Sequence, residues 1–419
     1  MGTEKSISSN TTTRLGPLRR YGDPSLKRPQ AYHPHSGAVD EYGNFGYVHD
    51  PAILNKQKNT SNFATSHEDL TQLCAPVGEG PEGGNAIGRE LFGQHIKVSQ
   101  SPPISSINVF CAIYTYPGNK NQTNAIKNTW GRRCDGIMFA STETVHEDAT
   151  VHLLHNGGHQ GMYRGIWQKV RSMLSYIYDN FLEDFDYFLL SGDDTYVILE
   201  NLRMFLTSPK VMEHAAGGSQ YFYTGSWIHP FWLLKKGYTN DFYYMGGGAG
   251  YVLSRAAVRG LVELAWPTCK NTTIDSAEDV FMAECLQQYL NVTGYDSRDG
   301  QGRERFISYD PIKLVSMQMS SMESSGIANS QAKKQHPKVD KRSDREKEWL
   351  GLRQQGIWRQ MKHNWTQQYG LEYVSSTAIS FHMVQPAIKM HRYEQLFYHL
   401  RSNETFDEDL FLCGNVSAV

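Results

Sequence analysis

The sequence predicts an α/β fold: a mostly parallel central sheet with helices on both faces. From residue 107 onward, short apolar strands alternate with helical segments. The apolar runs stop abruptly at turns rich in glycine, proline or acidic residues. Such alternation is typical of a layered, parallel sheet. A hydrophobic content of 39% is enough to fill the core.

The first half of the patterned region supplies most of the predicted sheet. INVFCAIYTYP reads as a buried strand because its apolar run ends at a Pro-Gly turn. YRGIWQKVRSMLSYIYDNFL has apolar residues at three- and four-residue intervals, which indicates a helix. The predicted order is strand 107–117, helix 122–134, strand 136–141, helix 163–182, strand 186–191 and a helix-like run at 195–207.

The rest of the chain divides by composition. Residues 1–103 are polar with scattered Gly, Pro, Asn and Ser, which predicts a largely disordered stem with short ordered pieces near ELFGQH. Residues 104–419 are predicted to form the folded domain. Within it, 316–348 is charged and lacks an apolar pattern, so a flexible insertion is expected there. A strand-like run at 372–384 and a helix-like run at 392–403 follow.

The net charge and the hydropathy of the chain limit the partners and the membrane segments that can be expected. The net charge of −2 gives no electrostatic reason to expect a nucleic-acid partner. No stretch approaches the roughly 18 apolar residues of a membrane helix, and the start does not resemble a signal peptide. A membrane anchor is therefore expected to be missing from this chain.

Eight N-x-S/T sequons indicate lumenal or extracellular surface, since they exceed what the composition would give by chance. The six cysteines suit one or two structural disulfides and contain no C-x-x-C pair. Together they predict a secretory-pathway protein. The sequon asparagines are Asn10, Asn59, Asn121, Asn271, Asn291, Asn364, Asn403 and Asn415.

The stretch SGDDTYVILENLR places Asp193 and Asp194 directly after an apolar strand. Ligands of α/β sheets bind beyond the carboxyl ends of strands, and paired carboxylates suit Mg²⁺ or Mn²⁺. The alternative is an exposed Asp-rich turn that caps the following helix.

Five segments in order resemble the core 1 β1,3-galactosyltransferases, within the inverting β1,3-glycosyltransferases that include the fringe enzymes. They are SGDDTYVILENLR, YYMGGGAGYVLS, AEDVFMAECL, NVTGYDSRD and ISFHMV. The resemblance covers roughly residues 105–402 without the insertion.

The resemblance implies that residues 104–419 are a glycosyltransferase catalytic domain with an A-type fold, which has a Rossmann-like nucleotide-sugar half. It also implies a UDP-galactose donor and Mn²⁺. The metal contacts it implies are Asp193, Asp194 and His382, with the last Asp of the motif as the direct ligand. The family motif usually has three consecutive Asp, and Gly192 stands at the first position here. A histidine in a strand is otherwise more often a hydrogen-bonded core residue.

For inversion at the donor C1, a carboxylate must take the proton of the attacking hydroxyl. The AEDV segment supplies Glu278 and Asp279, and the resemblance suggests Asp279 as the base. The alternative is that acids at a helix N-terminus only complement the helix dipole, which suits Glu278.

Further residues are expected at the donor site. The loop after the first strand matches the family's nucleotide side, Lys169 can face the diphosphate or solvent, and the GGGAG glycines allow close backbone approach to a sugar or form a tight turn. The donor-side residues predicted are Tyr114, Thr115, Pro117, Lys169, Asp193, Gly247 and Gly248.

Two other groups of residues are of interest. Trp227, His229, Phe231 and Trp232 offer aromatic faces of the kind that stack on sugars, although core packing explains at least half of them. The resemblance pairs Cys111 with Cys134 and Cys269 with Cys285, and leaves Cys74 and Cys413 unassigned.

The predicted function is transfer of galactose from UDP-galactose in β1,3 linkage to GalNAc-α-Ser/Thr of a glycoprotein. The predicted compartment is the Golgi lumen. The enzymes that the chain resembles are often homodimers and are type II membrane proteins. Two alternatives stay open. One is a fringe-like transfer of GlcNAc or another donor–acceptor pair, and the other is a catalytically silent folding partner.

Overall fold

The computed structural model describes most of the region that carries the sequence pattern. The insertion predicted at 316–348 and the cysteines Cys74 and Cys413 lie outside the described residues. Those residues are 51–58, 60, 93–99, 107–142, 145, 149–152, 165–228, 242–270, 277–310, 373–399, 401–402 and 405–406.

The strands follow the predicted order, with several short ones added around the acidic and glycine-rich turns. They are β1 Val109–Tyr114, β2 Gly136–Ser141, β3 Thr150–His152, β4 Tyr187–Gly192, β5 Tyr196–Val197, β6 Tyr223–Gly225, β7 Trp227–Ile228, β8 Tyr244–Met245, β9 Tyr251–Ser254, β10 Tyr295–Asp296, β11 Phe306–Ile307, β12 Ser380–Phe381, β13 Arg401–Ser402 and β14 Thr405–Phe406.

The helices are α1 Pro51–Lys58, α2 Lys120–Asn128, α3 Ile166–Asn180, α4 Leu199–Leu206, α5 Pro209–Ala215, α6 Arg255–Gly260, α7 Glu278–Leu290 and α8 Ile388–Glu394. Short 3₁₀ turns lie at Pro117–Asn119, Trp130–Arg133, Ala216–Gly218 and Gly247–Ala249. The helices α6 and α8 continue as π-helical turns at Leu261–Ala265 and Gln395–His399.

The central sheet has the strand order β10–β6–β9–β4–β1–β2–β3. Strand β1 runs parallel to β2 and β4, β3 is parallel to β2, and β10 is parallel to β6. Only β9 within this sheet is antiparallel to its neighbours β4 and β6. The prediction of a mostly parallel α/β sheet is therefore confirmed.

Both faces of the sheet are buried, which explains why β1 and β4 are apolar without alternation. In β1, Phe110 and Ala112 pack in a core with α3 and α7. Val109, Cys111 and Ile113 point to the other core, which includes α2, α4 and α8. This alternation follows the two-residue period of a strand.

A small second sheet has the order β11–β12–β5. Phe381 of β12 pairs with Tyr196 of β5 in antiparallel register. Because β5 follows the acidic turn and β12 precedes His382, this pairing brings the histidine to the carboxylates. The run at 195–207 thus contains a strand before its helix, since the pairing with β12 takes Tyr196 and Val197 into a sheet.

Two segments of the predicted stem belong to the folded unit. In α1, Gln57 accepts a hydrogen bond from the Tyr176 hydroxyl at 2.7 Å and donates to the Ala149 carbonyl at 3.2 Å. Ile96 is fully buried, and the Lys97 N–H donates to the Ser376 carbonyl at 2.7 Å. The boundary expected at residue 103 therefore does not separate these segments from the domain.

Both cysteine pairs expected from the family resemblance form disulfides, Cys111–Cys134 and Cys269–Cys285. The first ties β1 to the turn before β2, and the second ties α7 to the segment after the π-helical turn. Within the described residues, no helix has the length and apolar character needed to cross a membrane.

A buried carboxylate fastens the C-terminal helix to the rest of the domain. Glu394 of α8 has no exposed surface and accepts hydrogen bonds from Arg133, from Arg132 at 3.3 Å and from the Tyr196 hydroxyl at 2.8 Å. The Arg133 guanidinium also lies 3.7 Å from the centroid of the Tyr398 ring. Satisfying a buried charge in this way is what permits its burial.

Replacing Glu394→Ala is expected to reduce the free energy of unfolding by about 3–5 kcal/mol, because Arg132 and Arg133 lose their buried counter-charge. Denaturant titration measures the change. The matched control is Glu183→Ala, which removes a 73% exposed side chain paired with Arg259 and should change stability by no more than about 1 kcal/mol. Equal small losses in both variants would contradict this role.

Candidate active site

The site lies where β1 and β4 end side by side. Tyr114 is in register with Gly192, so the loops that follow the two strands meet. Ligand crevices of α/β sheets lie beyond such carboxyl ends. Thr115, Pro117 and Asp193 are thereby brought into one neighbourhood, as the sequence predicted.

Asp193 joins the two loops. Its Oδ2 accepts hydrogen bonds from the Thr115 hydroxyl at 2.5 Å and from the Asn119 amide at 2.8 Å. The Gln122 side chain donates to the Asp193 carbonyl at 3.1 Å. Burial raises the pKa of Asp193, and the two side-chain hydrogen bonds oppose that rise. This oxygen is thus engaged in ordering the loop after β1.

Lys169 of α3 is buried beneath the same loop. Its Nζ donates to the Thr115 carbonyl at 2.6 Å. Burial lowers the pKa of Lys169 to about 8, while the nearby charge of Asp193 acts in the opposite direction. The alternative of a solvated helix face is therefore excluded, and the lysine supports the loop after β1 through this hydrogen bond.

Asp194 and His382 face each other at the edge of this crevice. The His382 Nε2 lies 3.4 Å from the Asp194 Oδ2, with side-chain exposures of 22% and 23%. The backbone positions both residues, because the Val384 N–H donates to the Asp194 carbonyl at 2.8 Å and the His382 N–H donates to the Ile307 carbonyl at 2.9 Å. These two side chains remain accessible to a ligand.

In the part of the chain that the structure describes, no three His, Cys, Asp or Glu side chains are grouped closely enough to hold a metal by themselves. A carboxylate oxygen and an imidazole nitrogen nevertheless fit Mn²⁺, which accepts both donor types and also takes ligands from phosphate and water. Asp194 and His382 are therefore the two side chains of this crevice that could hold such a metal.

The 3₁₀ turn Gly247–Ala249 connects this pair to the first turn of α7. The Gly247 N–H donates to the Asp279 Oδ2 at 3.0 Å, and the Thr195 hydroxyl donates to the Gly248 carbonyl at 2.8 Å. A Cβ on Gly247 would lie 2.1 Å from a Glu278 carboxylate oxygen, and one on Gly248 would lie 2.3 Å from the His382 ring. These glycines thus allow the backbone of the turn to lie close to Glu278 and His382.

The two acids of α7 have different surroundings. Glu278 is buried, and its Oε2 accepts a hydrogen bond from the Tyr251 hydroxyl at 2.9 Å. Asp279 is half-buried and accepts hydrogen bonds from the N–H groups of Gly247 and Val280. Burial raises the pKa of both carboxyls. Asp279 is the one that a substrate can reach.

Gly192 borders the site directly. A Cβ at this position would lie 3.0 Å from the Asp194 Oδ1 and 3.3 Å from the Tyr114 ring. The Tyr114 hydroxyl in turn donates to the Gly247 carbonyl at 3.3 Å. The glycine therefore leaves Asp194 and Tyr114 uncrowded where the family motif has a carboxylate.

Pro117 and the four residues predicted to offer aromatic faces complete the predicted set. Pro117 opens the 3₁₀ turn that carries Asn119. Trp227 lies on β7, whereas His229, Phe231 and Trp232 fall outside the described residues. Asn119 and Tyr251 were not among the residues predicted from the sequence. Asn119 had a usable signal, since polar residues just after β1 must lie near those just after β4 in a parallel pair.

Part of this chain is similar to a known protein family, and most of it is similar to a known protein. The Fringe family model, described as Fringe-like, matches residues 105–299. The glycoprotein-N-acetylgalactosamine 3-beta-galactosyltransferase 1 of Xenopus laevis is 30% identical over 299 residues, which cover 71% of this chain and 68% of that protein. This chain belongs to the Fringe-like β1,3-glycosyltransferases.

In this Fringe-like glycosyltransferase, the family match ends just after β10 and includes Asp193, Asp194, the glycine turn and Asp279. His382 lies beyond the matched residues, and the pairing of β5 with β12 returns it to the site. The crevice is thus formed by residues within the family match, 105–299, together with His382, which follows β12.

Replacing Gly248→Ala is expected to lower transferase activity at least about tenfold, because the new methyl group would displace His382 from Asp194. Steady-state rates at saturating donor measure this. Gly300→Ala is the matched control, since a Cβ there meets no atom within 4 Å. Unchanged activity in Gly248→Ala would show that the close approach to His382 is dispensable.

Proposed function

We propose that this enzyme transfers galactose from UDP-galactose to the 3-hydroxyl of GalNAc attached to Ser or Thr of a glycoprotein. The name of the Xenopus relative supports this donor and acceptor. The observation that carries the proposal is the position of Asp279, which is linked through Gly247–Gly248 to the neighbourhood of Asp194 and His382. One short turn thus brings a carboxylate that can accept a proton close to a pair of side chains that can bind the diphosphate through a metal. This arrangement suits an inverting transfer.

On the donor side, Asp194 and His382 would hold Mn²⁺, and Asp193 orders Thr115 and Asn119 next to the nucleotide. When bound, the metal would supply positive charge to the diphosphate. Tyr114, Pro117 and Lys169 complete this side, with Lys169 holding the loop through the Thr115 carbonyl.

The reaction is a single displacement at the anomeric carbon. The oxygen of the acceptor hydroxyl forms a bond to C1 of galactose on the face opposite the diphosphate. The bond from C1 to the phosphate oxygen breaks, and its electron pair leaves with UDP. Asp279 takes the proton of the attacking hydroxyl. Two backbone N–H groups orient its carboxylate for this role.

The proposed compartment is the Golgi lumen of the secretory pathway. The two disulfides require an oxidising environment during folding. Two sequon asparagines in the described residues, Asn121 and Asn291, are exposed, as glycosylation requires.

The test is turnover of UDP-galactose on a GalNAc-α-Thr peptide with Mn²⁺. Asp279→Asn should reduce kcat by about 10²–10⁴-fold, because the amide cannot accept the proton. Burial raises the pKa of Asp279, so the wild-type rate should already fall, as pH is lowered, at pH values above the ordinary pKa of an aspartate. The residual rate of Asp279→Asn should lack this acidic limb.

Asp184→Asn is the control, since Asp184 is 47% exposed and pairs with Lys58 on the surface. If a different UDP-sugar in a panel of donors is turned over instead of UDP-galactose, the transferred sugar is that one and not galactose. A wild-type protein that binds UDP but transfers no sugar from the panel would contradict the proposal and favour a folding partner.

A further inference from the structure

An open cavity lies beside the middle and C-terminal turns of α7, apart from the groups assigned to the transfer. Its volume is about 210 Å³. It lies between α7, the loop after α7, β6 and the antiparallel pair β7 and β8. The lining residues important for the argument are Tyr223, Trp227, Tyr243, Ala283, Gln287 and Thr293.

The cavity lies along the same face of α7 as the proposed base. Ala283 and Gln287 follow Asp279 at intervals of four residues, and residues four apart are neighbours on a helix surface. Ala283 is about 6 Å from Asp279 along the helix axis. On the opposite wall, the Tyr223 hydroxyl accepts a hydrogen bond from the Met245 N–H at 3.0 Å, two residues before Gly247. The cavity therefore adjoins the transfer site.

Its walls combine aromatic rings with a few polar groups. The Trp227 and Tyr243 rings have centroids 4.8 Å apart and planes at 76°, so they form a corner. The Arg298 guanidinium lies 5.5 Å from the Trp227 centroid and fixes the indole from outside the cavity lining. Gln287 and Thr293 add hydrogen-bonding groups and are exposed.

The chemistry of this lining selects a class of ligand. The residues that line the cavity in the described structure carry no charged side chain, so it is unsuited to a diphosphate. The volume is below the roughly 300–1,000 Å³ of pockets for drug-sized molecules. Aromatic faces with a few polar groups at the rim suit a compact neutral ring that has both apolar and hydroxyl-bearing surfaces.

We propose that this cavity binds a neutral pyranose ring of the acceptor, with Trp227 as its main contact. This inference rests on the proposed function, since it assigns the acceptor side of the same transfer. Trp227 and Tyr243 are half-buried beside open space, whereas Tyr223 is fully packed at the cavity wall. A ring bound against the first two would cover surface that the described part of the fold leaves uncovered.

Replacing Trp227→Ala should raise the KM for a GalNAc-α-Thr peptide at least about tenfold, as loss of a central aromatic contact does. The KM for UDP-galactose should stay within twofold, because the cavity is separate from Asp194 and His382. Trp227→Phe keeps an aromatic face and should restore most of the acceptor affinity. Tyr221→Ala, which removes a 40% exposed ring outside the cavity, is the matched control.

Thr293 needs a separate control because it is also the third residue of the Asn291 sequon. Thr293→Val removes the hydroxyl and the sequon together, whereas Asn291→Gln removes only the sequon. A rise in acceptor KM in Thr293→Val but not in Asn291→Gln would support a direct contact. Equal rises would assign the effect of Thr293 to the glycan and overturn its place in the proposed site.

A binding measurement separates failure of this inference from failure of the proposed function. Saturation-transfer NMR with α-methyl GalNAc should show contact with the wild-type protein and none with Trp227→Ala, even if no galactose is transferred. Binding retained in Trp227→Ala, or acceptor KM unchanged in Trp227→Ala and Trp227→Phe with wild-type melting temperatures, would overturn the inference.

Discussion

The architecture of the site depends on a backbone without side chains at Gly247 and Gly248. A methyl group at either position would lie within 2.3 Å of Glu278 or His382. The turn can therefore accept a hydrogen bond from the Thr195 hydroxyl at the Gly248 carbonyl and donate one from the Gly247 N–H to Asp279. Close packing of this kind transmits any added volume directly to its neighbours.

Electrostatics divide the carboxylates of the site by role. Two carboxylates accept hydrogen bonds from protein side chains and order the scaffold: Asp193 holds the loop after β1 through Thr115 and Asn119, and Glu278 is covered by Tyr251. Asp194 and Asp279 keep exposed surface and are the ones that substrate groups can reach. Burying charge is costly, and these side-chain hydrogen bonds offset that cost for the two scaffold carboxylates.

Much of the fold could be predicted from sequence because strands buried on both faces, such as β1 and β4, read as continuous apolar runs. The nearness of Asp193 to Thr115 followed from parallel neighbours ending together. The pairing of Tyr196 with Phe381 could not be predicted locally, because two-residue strands show no period and are separated by a long stretch of chain. The packing of α1 was missed for a related reason: Gln57 is polar, and its partners are distant in sequence.

In the proposed mechanism, Asp194 and His382 hold the donor diphosphate through a divalent metal. Calorimetric titration of UDP into the protein, with Mn²⁺ and then with a chelator, tests this without requiring turnover. UDP binding should depend on Mn²⁺ and should be weakened at least about tenfold by Asp194→Ala and by His382→Ala. Equal UDP affinity with and without Mn²⁺ in the wild type and both variants would contradict it.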